Sequence, residues 1–266
     1  MQASKRKKSR RSVAYFDSIA HRYHALYDES TPGGCSLILR RRRVLELFDR
    51  RGGNVLDVGC GPGVMVEALT DLECGFWGID PSPRMIERAN RAFGALSKVH
   101  FSVGSAEQLG FPDEFFDAVI CMGVLERTGE DGTALREMVR VLKVGGTLIV
   151  TLPNRFSPNL LWRDYVFYPI VSLLRPFHRL LTGTVRRPIN PRHRLYSERS
   201  FVRFAMRCGC EVTDIKYCVY NFCLHPLDSL LPGLCTSLLN NAEVLNRGRL
   251  RTLGGAFVVK ARKAAR

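Results

Sequence analysis

The sequence contains no Cys-x-x-Cys pair, although it has nine cysteines, at positions 35, 60, 74, 121, 208, 210, 218, 223 and 235. The one close pair, Cys208 and Cys210, has neither a second pair nor a nearby histidine, so no metal site is expected. No run of 18 uncharged apolar residues occurs, so nothing is expected to span a bilayer. The first residues carry charge but no apolar h-region, which speaks against a secretory leader. These absences predict a cytoplasmic protein whose cysteines are reduced thiols, mostly small buried hydrophobes. No internal repeat is found.

Positive charge is abundant. The 266 residues include 40 Lys and Arg against 25 Asp and Glu, a net charge of +15. Residues 1–51 hold 13 basic and 5 acidic side chains, residues 154–203 hold 10 and 2, and residues 204–266 hold 9 and 4. Residues 52–153 reverse the balance with 8 and 14. An acidic island thus lies inside a basic chain, and an anionic partner would meet the flanks.

Residues 1–12, rich in Lys and Arg, read as a disordered basic tail. Helical spacing begins at Val13, with Phe16, Ile19, Ala20 and Tyr23 on one face, and continues to about Asp49. Thr31-Pro32-Gly33-Gly34 reads as a break, with a second helix from Leu37 to Phe48. Residues 13–51 are therefore an N-terminal helical cap. Beyond them strands alternate with helices. Strands are expected at Asn54–Val58, Gly75–Ile79, Val99–Val103, Phe116–Met122, Thr147–Leu152, Glu211–Val219 and Ala256–Ala261. Helices are expected at Val64–Thr70, Pro83–Leu96, Thr133–Leu142 and Glu198–Cys208. This alternation predicts an α/β, doubly wound, mostly parallel seven-stranded sheet formed by residues 52–154 and 196–266. Residues 155–195 interrupt it as an apolar and basic insertion, read as a helical lid.

The first strand runs into Val58-Gly59-Cys60-Gly61-Pro62-Gly63, a glycine turn that opens a helix. Asp80 ends the second strand, where a carboxylate can accept from ribose hydroxyls. A dinucleotide fingerprint needs a glycine at position 64, and the chain has Val64. A turn of this kind suits S-adenosylmethionine, which brings a carboxylate and a sulfonium cation but no phosphate.

Four segments, VLDVGCGPG, GIDPSPRMIERA, GSAEQLGFPDEFFD and VLKVGGTLIVTLPN, fall in order. They resemble the successive motifs of class I S-adenosylmethionine-dependent methyltransferases, in the group that includes ubiquinone and menaquinone biosynthesis enzymes. The resemblance covers about residues 54–154 and, more loosely, RHRLYSERSFVRFAMRCGCEV. It implies a Rossmann-like methyltransferase fold with S-adenosylmethionine as cofactor. It also implies roles: Asp57 with Gly59, Gly61 and Gly63 for the methionine end, Asp80 for the ribose with Met85 beside it, and Ser105 and Ala106 for the adenine. Two positions depart from the group. Ser105 stands where Asp is common, leaving a hydroxyl or backbone group to face the adenine. Arg127, in Leu125-Glu126-Arg127, stands where a histidine is common.

Methyl transfer needs in-line alignment and a dry site, with a base where the acceptor must lose a proton. His193, which follows the insertion, is the expected catalytic base. His21, His24 and Glu126 are weaker candidates, and His225 reads as a packed core residue. The insertion interleaves arginines with Trp162, Tyr165, Phe167 and Tyr168, and Phe222–Leu245 is a second apolar stretch. Both suit a lid over a small, hydrophobic or lipid-like acceptor, methylated on O or C. They also suit peripheral contact with an anionic membrane, at its inner face. Two alternatives stand beside this reading. One is a nucleic-acid methyltransferase using the basic flanks, although no Asn/Asp-Pro-Pro-aromatic or Pro-Cys motif is present. The other is a catalytically silent S-adenosylmethionine-binding module. The oligomeric state is not legible.

Overall fold

The computed structural model describes residues 2–49, 51–69, 73–173, 194–224 and 226–265. In chain order the elements are α1 (Gln2–Ile19), α2 (Pro32–Leu47), β1 (Asn54–Val58), α3 (Val66–Leu69), β2 (Gly75–Asp80), α4 (Pro83–Phe93), β3 (Val99–Val103), β4 (Phe116–Met122), α5 (Asp131–Val141) and β5 (Leu142–Pro153). They continue with α6 (Pro158–Leu161), α7 (Glu198–Arg207), β6 (Cys210–Cys218), α8 (Leu227–Leu230), α9 (Pro232–Asn241) and β7 (Ala256–Lys263).

The seven strands form one sheet in the order β3-β2-β1-β4-β5-β7-β6. The first five pair in parallel, and β7 enters antiparallel between β5 and β6. The strand order reverses at β1 and β4, so a crevice opens beyond their carboxyl ends, where α/β sheets bind ligands. The central strands are apolar on both faces because helices cover both. Leu56, Val58, Val119 and Leu148 pack on one side, and Val55, Ala118, Ile120 and Ile149 on the other.

Four sequence expectations change. The basic stretch 1–12 is not a separate tail, since α1 runs through it from Gln2. Its Lys, Arg, Gln and Ala residues are good helix formers that extend a turn anchored further on. Thr31-Pro32-Gly33-Gly34 is not a break but the start of α2. Thr31 is its N-cap, accepting from the Gly34 N–H at 3.0 Å, with Pro32 in the first turn. The third helix begins at Val66 rather than Val64 and is described to Leu69, Thr70 lying outside the described residues. Cys223 and Cys235 are not free thiols but a disulfide, with Cα atoms 5.8 Å apart. The chain folds back between them through α8, a proximity that a separation of twelve residues does not reveal. Cys35, Cys60, Cys74, Cys121, Cys210 and Cys218 are buried and not in a disulfide, in keeping with a packing role.

Of the insertion, residues 158–173 are helical, with a π-turn over Trp162–Phe167, and residues 174–193 lie outside the described part. Among the described residues no helix is long and apolar enough to cross a membrane, and no group of His, Cys, Asp or Glu could hold a metal.

Candidate cofactor and acceptor site

β1 delivers the chain into the glycine turn, and β2 holds that turn from beside it. The Ile79 carbonyl accepts from Gly59 N–H at 2.7 Å and from Cys60 N–H at 3.0 Å. Gly59 has φ +76°, and a Cβ there would overlap Val124 Cγ2. Only glycine fits that backbone and that space. The close approach brings the loop after β4 against the turn.

Asp80 fastens the turn to β2. Its Oδ2 accepts from Gly61 N–H at 3.1 Å and its Oδ1 from Ser82 N–H at 2.8 Å. Burial raises its pKa, and the two N–H donors pull it back down. A carboxylate has about four acceptor sites, so two remain for a ligand. Asp57, on β1, is buried, and its Oδ2 has no hydrogen-bond partner. Burial, and then the charge of Asp80, push its pKa up to about 7. A positive charge held over the turn would favour its ionised form through the field rather than by contact.

A cavity of about 100 Å³ lies over this turn. Gly59, Gly61, Asp80, Met85, Ser105 and Ala106 line it, as the sequence places them. Asp57 and Gly63 do not. Asp57 is buried on β1, two residues before Gly59. Gly63 serves packing: at φ +90°, a Cβ would stand 2.8 Å from Phe93 Cδ2 on α4. His193 lies outside the described residues, as does His225. The described chain resumes at Arg194, whose N–H donates to the Glu126 carbonyl at 3.1 Å and whose side chain pairs with Asp131. His21 and His24 are exposed and line neither this cavity nor its neighbour.

The sequence placed a helical cap here but did not single out the side chains that form the roof, nor one acid. α1 supplies Ser12, Val13 and Phe16 to the cavity, and the turn after it supplies Tyr23. Asp17 ties this roof to the start of α4, accepting from Ser82 Oγ at 2.8 Å and Arg84 N–H at 3.2 Å. An acid at a helix N-terminus is favoured by the exposed amides there. The helical spacing of Phe16, Ala20 and Tyr23 was the available signal. Glu107 lines the cavity beside Ser105, accepting from the Ser105 hydroxyl and from Gly129 N–H at 3.1 Å. The carboxylate missing at position 105 is thus present two residues later.

A second, larger cavity of about 540 Å³ adjoins the first, and Phe16, Tyr23 and Arg127 line both. Its wall combines Tyr15, Tyr27, Leu26, Leu37 and Leu160 with Arg40, Glu126, Arg163 and Asp228. Burial pushes the Tyr27 hydroxyl well above its ordinary pKa. The cavity is roofed by the N-terminal helices and bounded by α6, whose Asn159 amide donates to the Cys223 carbonyl at 2.8 Å. The insertion and the disulfide-linked segment therefore meet at its rim.

Comparison with known proteins agrees with this geometry. Residues 56–150 match the model of a methyltransferase domain. The ubiquinone/menaquinone biosynthesis C-methyltransferase UbiE of Pseudomonas aeruginosa is 34% identical over 184 residues, covering 66% of this chain and 70% of that one. A ubiquinone biosynthesis O-methyltransferase of Azorhizobium caulinodans is 32% identical over 121 residues, 44% of this chain and 48% of that one. The ajmaline N-methyltransferase of Rauvolfia serpentina is 37% identical over 38% of this chain and 36% of its own. The chain thus spans about half the length of the Azorhizobium relative and about a third of the Rauvolfia one. Among solved structures, an S-adenosylmethionine-dependent methyltransferase of Thermotoga maritima superposes with a TM-score of 0.60 at 20% identity, over 94% of this chain and 98% of that one. One from Mesorhizobium loti gives 0.55 at 19% identity, over 83% and 96%. These two share the fold. The UbiE relative, with 70% of its length matched at 34% identity, carries the conclusion that the strand order and glycine turn agree with: the chain belongs to the class I S-adenosylmethionine-dependent methyltransferases, in the group that resembles the quinone-biosynthesis enzymes.

Proposed function

We propose that the protein transfers a methyl group from S-adenosylmethionine to a small, hydrophobic or lipid-like acceptor. The observation that carries this reading is the pair of adjoining cavities. The smaller lies over the glycine turn and the larger has a mainly aromatic and apolar wall. The residues fit the cofactor. Asp80 would take the ribose, Ser105, Ala106 and Glu107 the adenine, and the turn with Asp57 the cationic methionine end. Bound there, S-adenosylmethionine supplies an electrophilic methyl on a good leaving group. The protein's own contribution is alignment and exclusion of water, with α1, Phe16 and Tyr23 closing the site. Incubation with methyl-labelled S-adenosylmethionine and a lipid extract should carry label into the organic phase. Label confined to the aqueous phase or to nucleic acid would overturn the acceptor class.

The insertion and the segment after β6 serve in this reading as a membrane-facing rim. Tyr165 is 68% exposed, Leu173 76% and Leu230 69%, beside Tyr168, Ile170, Leu227 and Leu234. Trp162 and Phe167, the other interfacial aromatics of the sequence, are half-buried instead. Vesicle co-sedimentation should show binding to anionic lipid that salt reduces but does not abolish, because screening weakens charge attraction and leaves apolar insertion. Tyr165→Ser with Leu173→Ser should remove the salt-resistant fraction. A wild-type protein that ignores anionic vesicles at low salt would leave the rim as a lid only.

A further inference from the structure

Resting on the reading that the larger cavity receives the acceptor, we propose that Arg40 and Arg127 hold a carboxylate of that acceptor. Arg40 reaches the cavity from α2 and Arg127 from the loop after β4. The Nε of Arg40 and the Nε and Nη1 of Arg127 are buried, and none has a hydrogen-bond partner. The third cation of the wall, Arg163, is already engaged by Asp164 at 2.8 Å. Glu126 and Asp228 line the same cavity, yet neither accepts from those three nitrogens.

An arginine cannot shed its proton, so a half-buried guanidinium whose inner nitrogens are already without partners holds an uncompensated positive charge at the cavity wall until an anion meets its remaining N–H groups. Its planar fork of N–H groups matches a carboxylate better than it matches a neutral hydroxyl or an ammonium. Arg127 is held by the Phe16 ring, its guanidinium carbon 5.0 Å from the centroid. Both arginines also draw the buried Tyr23 hydroxyl towards ionisation, against the larger effect of burial, so their positive field reaches the passage between the cavities. Arg127 lines both cavities and Arg40 only the larger, so the anion sits beside the passage. The apolar part of the acceptor then lies against Leu26, Leu37 and Leu160. A neutral head group in the same place could accept from one of the donors but would leave the two positive charges unbalanced.

The test compares two probes with the same tail, dodecanoate below its micellar range and dodecanol below its solubility limit. Each is titrated calorimetrically into the full-length protein saturated with S-adenosylhomocysteine. Dodecanoate should bind at least roughly tenfold more tightly than dodecanol, the scale of hydrogen bonds to charged groups. Arg40→Met should erase most of that preference and leave dodecanol binding as it was. Arg40→Lys, which keeps the charge but not the fork, should fall between. Equal binding of the two probes to the wild type would overturn the assignment, and that comparison needs no variant to fold. So would an Arg40→Met protein that keeps the full preference. A wild type that does not bind S-adenosylhomocysteine would overturn the parent reading and this one with it. S-adenosylhomocysteine binding without carboxylate preference would overturn this one alone.

Discussion

Asp80→Ala should weaken S-adenosylhomocysteine binding by roughly thirtyfold to a hundredfold, about 2–3 kcal/mol. Two losses combine. On the proposed reading the ribose hydroxyls lose a charged acceptor, and the turn loses the bonds by which Gly61 N–H and Ser82 N–H are held. The second loss loosens the surface on which the ligand sits. Asp80→Asn separates them, since the amide oxygen can still accept from one N–H while the charge is gone. It should fall between the wild type and Asp80→Ala. Calorimetry on folded proteins decides the matter. An unchanged affinity in Asp80→Ala would remove this residue from the cofactor site.

Gly59→Ala should destabilise the protein by about 2–4 kcal/mol. One part is backbone strain, because φ +76° is costly for a residue with a side chain. The other is the overlap of the new methyl with Val124 Cγ2. These parts are separable, since Val124→Ala removes the clash and leaves the strain. The double variant should therefore be more stable than the sum of the single effects by about 1–2 kcal/mol. Urea denaturation of the four proteins measures this. Additive effects would mean that the loop after β4 moves away freely and that the turn is not packed as described. Val124 lines the cofactor cavity, so ligand binding is not the readout for this pair.

The β-strands, the glycine turn, Asp80 and the family were legible in the sequence, because each rests on local order along the chain. Strand and helix periods differ, glycine marks a backbone that other residues resist, and the carboxylate that ends β2 sits a fixed distance beyond the turn. The antiparallel entry of β7 between β5 and β6 obeys no local signal, since it depends on which edge of the sheet is left to pair. Gly63 shows the limit of a motif. It belongs to the glycine turn by sequence, yet its space is taken by Phe93 rather than by the cavity.

The site's walls were decided only by the tertiary structure. Glu107 stands in for an acid at position 105 because the turn after β3 brings its carboxylate to the Ser105 hydroxyl. Tyr23 and Phe16 read as one apolar helix face. That this face roofs the cavity follows from Asp17, which anchors α1 to α4 across 65 residues of chain. Cys223 and Cys235 look like two of nine similar thiols until α8 folds them together. Arg40 and Arg127 look like surface charges in a basic chain, but folding leaves three of their nitrogens buried without partners. Periodicity and motif spacing thus determined the sheet and the cofactor turn, because those depend on neighbours in sequence. The choice of side chains lining the two cavities depended on burial and on distances between elements remote in sequence, which exist only once the chain has folded.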